Sequence, residues 1–425
     1  MHQDFDIDLE AISKIEGHAS LSLKVRGDEV QDVELKITEQ KRFYAQAVRG
    51  KPALNVPQIV SRICGTCSIA HLLCCTEAVE NALKVEVSDQ TRILRKLTAH
   101  GMYVRDHAMH LYLFSLPDVF RKDSILEFVD DHHELVDQAF QVKAAGNNLS
   151  KLVAGKSIHA TFPIVGGHAQ IPGKEKTKQV IAELKAAREP LFDLMQIYKD
   201  CDFTFKRDTR YVCSGNKDFS YLGDEIINSE GIPVSKSHYL WHLQRVVIPY
   251  STSVGFQFRG KEYMVGSLPR MNLKKDALHK DTKRDASSFI SVFPTNDIYK
   301  NNLAQTIETL HSIDHAVELL ETTDFKQETP VQVKPQQGIG VAAIEAPRGT
   351  LFYHVEVDEY GKIKEVELVI PTAQNQVNMG FDIKKLVEEN LHKPKEELEF
   401  EIEKLIRAYD PCMSCATHFL KVKWK

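Results

Sequence analysis

Two Cys-x-x-Cys pairs sit at opposite ends of this chain: Cys64-Gly65-Thr66-Cys67 near the start and Cys412-Met413-Ser414-Cys415 near the finish. Four soft thiolates in two such pairs make a ligand set for zinc, an iron–sulfur cluster or another thiophilic metal. If they share one site, both ends of the chain belong to one structural unit. The 425 residues, 43% of them hydrophobic, are enough for one large core. On spacing alone, a structural zinc or iron–sulfur site is the plain reading. Structural zinc, however, usually draws its pairs from nearby sequence. Here each pair also has a histidine just after it, His71 or His418, and Arg62 or Asp410 just before it. Such surroundings suit a reactive metal better than an inert staple.

Composition narrows the setting. Charged residues make up 27% and the net charge is −5, so no basic excess points to nucleic acid or an anionic membrane. No apolar run approaches the ~20 residues of a bilayer span. The acidic, polar N-terminus does not resemble a secretory signal. Eight cysteines, four of them in the two pairs, fit a reducing compartment better than a disulfide framework. These features predict a soluble cytoplasmic protein.

Hydrophobic patterning predicts an α+β fold with a mostly helical core and small antiparallel β-hairpins. Alternation predicts one hairpin over 18–38, turning at Arg26-Gly27-Asp28, and another over 350–370, turning at Asp358-Glu359-Tyr360-Gly361. A helix is expected from about Pro57 to Leu83, carrying the first cysteine pair at its start. The next runs from the N-cap Ser88 to about Leu116. It is apolar on nearly every face, as in a buried helix, yet it carries Arg105, Asp106, His107 and His110. Further helices are expected at about 123–153, 174–207, 297–323 and 395–408. Residues 325–337 read as a linker or a surface crossing. His107 and His110 read as satisfied core histidines.

The stretches Arg62-Ile63-Cys64-Gly65-Thr66-Cys67 with His71, and Asp410-Pro411-Cys412-Met413-Ser414-Cys415 with His418, closely resemble the paired motifs of nickel–iron hydrogenase large subunits. Lys14-Ile15-Glu16-Gly17-His18, Glu345-Ala346-Pro347-Arg348-Gly349 and Pro371-Thr372-Ala373-Gln374-Asn375 match the same family in the same order. Gly155-Lys156-Ser157-Ile158-His159 with Gly166-Gly167 also looks like a family segment. The resemblance spans essentially the whole chain, and is nearest to the soluble multi-subunit types.

It implies nickel on four thiolates, with Cys64 and Cys412 terminal and Cys67 and Cys415 bridging to an iron that carries CO and cyanide. It implies Cys412 as the base that takes a proton from H2, and Glu16 as the next proton acceptor. Arg348 would hang over the open metal face, oriented by Asp106 and Asp410, with Arg105 as the competing partner of Asp106. His71 would hydrogen-bond a bridging sulfur, and Pro347 and Thr372 would border the diatomic ligands. An iron–sulfur small subunit and further flavin or iron–sulfur subunits are implied as partners, because the remaining cysteines form no relay pattern. No dinucleotide fingerprint is present, so the final acceptor belongs to other chains.

One position departs from the family pattern. Ala45 stands where relatives place a glutamate that helps hold magnesium beside His418, and alanine cannot ligate a cation. Either the ion is absent, or another group such as Glu39 or Gln46 substitutes, or water fills the place. Residues 1–418 read as the single domain; because the family is often cut after its final histidine, 419–425 read first as a tail removed on maturation, with a permanent edge strand as the alternative. Two other readings are a non-catalytic scaffold on the same fold and a structural zinc protein.

Overall fold

The computed structural model describes residues 4–27, 29–40, 43–215, 218–219, 221–223 and 225–417. Strands β1 (Phe5–Leu9), β2 (Ala19–Arg26) and β3 (Glu29–Ile37) form an antiparallel sheet in chain order. Leu21, Leu23 and Val25 alternate inward along β2, as period-two patterning requires. The predicted hairpin is therefore present, and FDIDL adds a third strand that its short length conceals.

The helical core follows. Helix α1 (Ser68–Ala82) is buried on almost every face. Helix α2 (Asp89–Ala108) starts at Ser88, whose hydroxyl accepts from the Thr91 N–H at 3.1 Å. It then continues through a widened turn over Met109–Ser115. Helix α3 (His133–Ala154) crosses α2 at close range. A Cβ on Gly146 would lie 2.5 Å from the Arg105 backbone nitrogen, so only glycine permits this approach. The crossing buries the turn of α2 that bears Arg105 and Asp106.

Farther along are α4 (Ser267–Lys274) and the long buried α5 (Lys300–Thr322). Strands β4 (Gly338–Ala346), β5 (Gly349–Val357) and β6 (Ile363–Val369) form a second antiparallel sheet, packed on α1. Ala346 pairs with Gly349, so Pro347 and Arg348 form the tip of a two-residue turn. Helices α6 (Pro371–Glu389) and α7 (Lys395–Ala408) complete the chain before the second cysteine pair. The two ends meet: Glu16 and Cys412 form a parallel bridge, and the Met413 N–H donates to the Glu16 carbonyl at 2.9 Å.

Several boundaries differ from expectation for local reasons. The helix expected over 57–83 is interrupted between Ile63 and Ser68, where Cys64 is extended at φ −145° and ψ 145°. The Arg105 guanidinium takes the Thr66 carbonyl there, removing it from helical hydrogen bonding. The helix expected from 123 begins at His133, because Lys122 binds the Glu127 carbonyl and Asp131 and folds the segment between into a turn. The span 174–207 is two helices, Lys174–Ala186 and Arg188–Asp200. Pro190, which has no N–H to give, sits in the first turn of the second. Residues 325–337 cross the surface without regular structure, tied down by the Val331 N–H to the Gly166 carbonyl at 2.8 Å.

Candidate metal centre

The break before α1 and the extended backbone of Cys412 turn four thiols toward one point. The sulfur atoms lie 3.4 Å apart for Cys64–Cys412, 3.7 Å for Cys67–Cys412, 2.9 Å for Cys67–Cys415 and 3.0 Å for Cys412–Cys415. All four are free and buried, and all their Sγ atoms fall within 4.8 Å of one another. Such crowding is the geometry of thiolates around a shared cation, with metal–sulfur bonds of about 2.3 Å. The S–H groups of Cys412, Cys415 and Cys67 favour the Cys64 thiolate and hold its pKa well below the ordinary thiol value. Burial and the neighbouring sulfurs push Cys412 up, and burial pushes up Cys415. Removing all the protons therefore requires a positive charge at the centre.

Glu16 closes one side. Its Oε2 lies 2.9 Å from Cys412 Sγ and accepts from the Ser414 N–H at 3.2 Å, while Oε1 lies 3.8 Å from Cys64 Sγ. Gly17 makes this possible: at φ +81° a side chain would be strained, and its Cβ would sit 2.9 Å from the Ser414 nitrogen. Burial raises the Glu16 pKa above the usual carboxylate range, and the Cys64 thiolate adds to the rise.

Arg348 closes another side. Its Nη1 donates to Asp106 Oδ2 at 2.7 Å. Its Nη2 lies 2.9 Å from Asp410 Oδ1, an ion-pair contact short of hydrogen-bond alignment, and its Nε has no hydrogen-bond partner among the described residues. Burial opposes its charge, but Asp106 and Asp410 hold the guanidinium protonated. The competition for Asp106 is resolved in favour of Arg348, since Arg105 is spent on the carbonyls of Ser157 and Thr66. Those two bonds pin the segment around Ser157 against the first cysteine loop.

His71 Nδ1 meets the Tyr353 hydroxyl at 2.8 Å, leaving Nε2 3.6 Å from Cys415 Sγ. Thr372 lies in the first turn of α6, where its hydroxyl accepts from the Cys412 N–H at 2.9 Å. Between the thiols and Arg348 lies a cavity with apolar walls from Ala70, Ala346, Leu351, Ile370 and Pro371. Pro347 is set back, its carbonyl accepting from Arg270 at 3.0 Å. Ala45 lies in a short helix (Tyr44–Ala47). Glu39 faces His18 at 3.7 Å, and Gln46 is exposed. His418 and the tail over 419–425 lie outside the described residues. His110 is a satisfied core histidine, on Gln305 at 2.6 Å and the Arg407 carbonyl at 2.8 Å, whereas His107 is only half satisfied: its Nε2 meets Glu308 at 3.0 Å and its buried Nδ1 has no hydrogen-bond partner among the described residues.

Sequence reasoning missed Tyr353 and Gln305. Tyr353 sets the His71 ring, and Gln305 donates to Asp410 Oδ2 at 2.9 Å. Both come from segments remote in sequence, with no motif to mark them. The donor set fits a nickel–iron pair: four soft sulfurs, a carboxyl beside one of them, and unspent N–H groups over an apolar cavity.

Comparison with known proteins agrees with this chemistry. Residues 42–138 and 242–418 match the nickel-dependent hydrogenase family model. The chain belongs to the nickel-dependent hydrogenase family, and its activity is that of a nickel–iron hydrogenase, an oxidoreductase that cleaves H2. It is 29% identical to sulfhydrogenase 2 subunit alpha of Pyrococcus furiosus over 98% of this chain and 100% of that protein. It is 28% identical to sulfhydrogenase 1 subunit alpha of the same organism over 98% of each. Its fold matches the structure of an NAD+-reducing [NiFe]-hydrogenase in the H2-reduced state with TM-score 0.86 and 22% identity, over 98% of this chain and 100% of the other.

Proposed function

We propose that this chain cleaves H2 reversibly at a nickel–iron centre on Cys64, Cys67, Cys412 and Cys415, with CO and cyanide on the iron. The observation that carries the assignment is the convergence of four buried thiols beside a buried carboxyl and a buried guanidinium. When bound, the metal pair supplies the Lewis acidity and redox change that H2 cleavage needs. Cys412 Sγ takes one proton and passes it across 2.9 Å to Glu16 Oε2. Burial raises the Glu16 pKa, which makes its carboxylate a better acceptor for that proton. Arg348 keeps a fixed positive charge at the cavity wall, aimed by Asp106 and Asp410, where developing negative charge is stabilised. His71 offers its Nε2 to Cys415 Sγ and moderates that sulfur. The apolar walls and the neighbouring Thr372 suit small diatomic ligands.

Among the described residues, the four cysteines are the only group placed to hold a metal. Electrons therefore leave through an iron–sulfur small subunit and further electron-transfer subunits to a soluble acceptor. Resemblance to alpha subunits of sulfhydrogenases supports a multi-subunit assembly. Among the described residues no helix is long and apolar enough to cross a membrane, in keeping with a cytoplasmic setting. Residues 1–418 form one domain in this reading, with 419–425 removed on maturation. Magnesium beside His418 would need a ligand from elsewhere, because Ala45 offers none. Exchange between D2 and water by the native complex tests the assignment. Steady formation of HD is expected, and nickel-loaded complex that forms none would contradict it.

A further inference from the structure

Helix α5 is buried along nearly its whole length, yet Asn301, Gln305 and Glu308 line one face at i, i+4 and i+7. Each is committed to a different segment around the metal centre. Asn301 donates to the Ala408 carbonyl at 2.9 Å and accepts from the Leu268 N–H at 2.8 Å. Gln305 donates to Asp410 at 2.9 Å. Glu308 accepts from Arg270 Nε at 2.6 Å and Nη2 at 2.7 Å, and faces His107 Nε2 at 3.0 Å. His107 is the residue after Asp106. Arg270, 0% exposed, spends the rest of its fork on Glu345 Oε2 at 2.7 Å and on the carbonyls of Ala346 and Pro347 at 3.2 and 3.0 Å. Those are the two residues before Arg348.

We infer that Arg270 and Glu308 are positioning residues for H2 cleavage, acting through Arg348. Arg270 fixes the turn from which Arg348 projects, and Glu308 ties that turn to the helix bearing Asp106. Gln305 on the same face fixes the second carboxylate, Asp410. One helix thereby sets in register Arg348 at the cavity wall and the two carboxylates, Asp106 and Asp410, that hold it. A guanidinium is required at 270, because one ammonium cannot reach two carboxylates and two carbonyls in a plane. The inference rests on the role proposed for Arg348.

A double-mutant cycle on the nickel-loaded complex tests it. Arg348→Lys, Arg270→Lys and the double variant are compared for nickel content, kcat and the infrared bands of the metal-bound diatomic ligands. Arg270→Lys is expected to keep its nickel, lower kcat about tenfold through misplacement of Arg348, and shift the bands. Added to Arg348→Lys, it is expected to change kcat by less than about twofold and leave the bands in place. An unchanged kcat for Arg270→Lys, or a full tenfold loss on top of Arg348→Lys, overturns the inference. An unchanged kcat for Arg348→Lys overturns the role of Arg348 itself, and this inference with it. If Arg270→Lys yields no nickel-loaded complex, Glu308→Gln, which keeps the side-chain shape, enters the same cycle under the same criteria.

Discussion

The four cysteines at the meeting of the chain ends can be set beside four histidines, His100, His279, His311 and His315, gathered around α2 and α5. Both groups are rich in metal-capable atoms, and both are largely buried. In the histidine group the ring nitrogens are mostly spent. His311 accepts from the His279 N–H at 3.0 Å and meets the Phe219 carbonyl at 3.1 Å. His279 meets Glu318 at 2.9 Å and accepts from the Asp281 N–H at 3.3 Å. His100 and His315 face each other at 3.1 Å. The cysteine sulfurs instead point chiefly at one another. Metal competence therefore follows from unspent lone pairs that converge, and not from the number of donors.

The largest expected effect breaks the cysteine side of this comparison. Cys412→Ser should remove both a ligand and the proton acceptor. Metal analysis should find nickel near zero per chain, with H2 oxidation lost; normal nickel would show that the sulfurs do not share a cation. Glu16→Gln should keep the nickel and slow exchange of D2 with water about a thousandfold, the loss of a positioned proton acceptor. An unchanged exchange rate would place the proton route elsewhere. Arg348→Lys should come next, lowering kcat about a hundredfold with nickel retained, since a point charge replaces an aimed fork. A fall in nickel content to match the fall in kcat would make Arg348 a structural residue instead.

The histidine side should respond least. His100→Phe should leave nickel content unchanged and kcat within about twofold, as expected for a position remote from the chemistry. Acid should still reveal the group. Burial depresses the His315 pKa from 6.5 to about 4. The unfolded chain therefore binds the proton first, and stability is lost as pH falls from 6.5 toward about 4. Thermal melts of His315→Gln should decline less over that window than those of the native chain. An equal decline would mean that His315 does not sense acid.

The cysteine side was legible in sequence because its chemistry is carried by short stretches: a C-x-x-C pair, Glu16 before a glycine, Arg348 in a Pro-Arg-Gly turn. The strand alternation around Leu21 and Leu368, and the Ser88 cap, were legible for the same local reason. Helix α6 was not. Its first two turns bury polar side chains, with Thr372, Gln374, Asn375 and Asn378 bonded to partners inside the core, so the apolar period that marks a helix begins only at Met379 and runs through Ile383, Leu386 and Val387. The break in the first cysteine helix also escaped, because Arg105 makes it from more than one helix away. Arg270, Glu308 and Gln305 carried no local mark at all. Their meaning arises only where α4 and α5 bring them against the Arg348 turn and Asp410.

The most direct test of the central claim is to quantify nickel, iron and zinc in the purified native complex while recording its infrared absorption in the region of metal-bound CO and cyanide. The account predicts nickel near one per chain together with CO and cyanide bands. Zinc in place of nickel, with no such bands, would contradict it and leave the four cysteines as a structural staple.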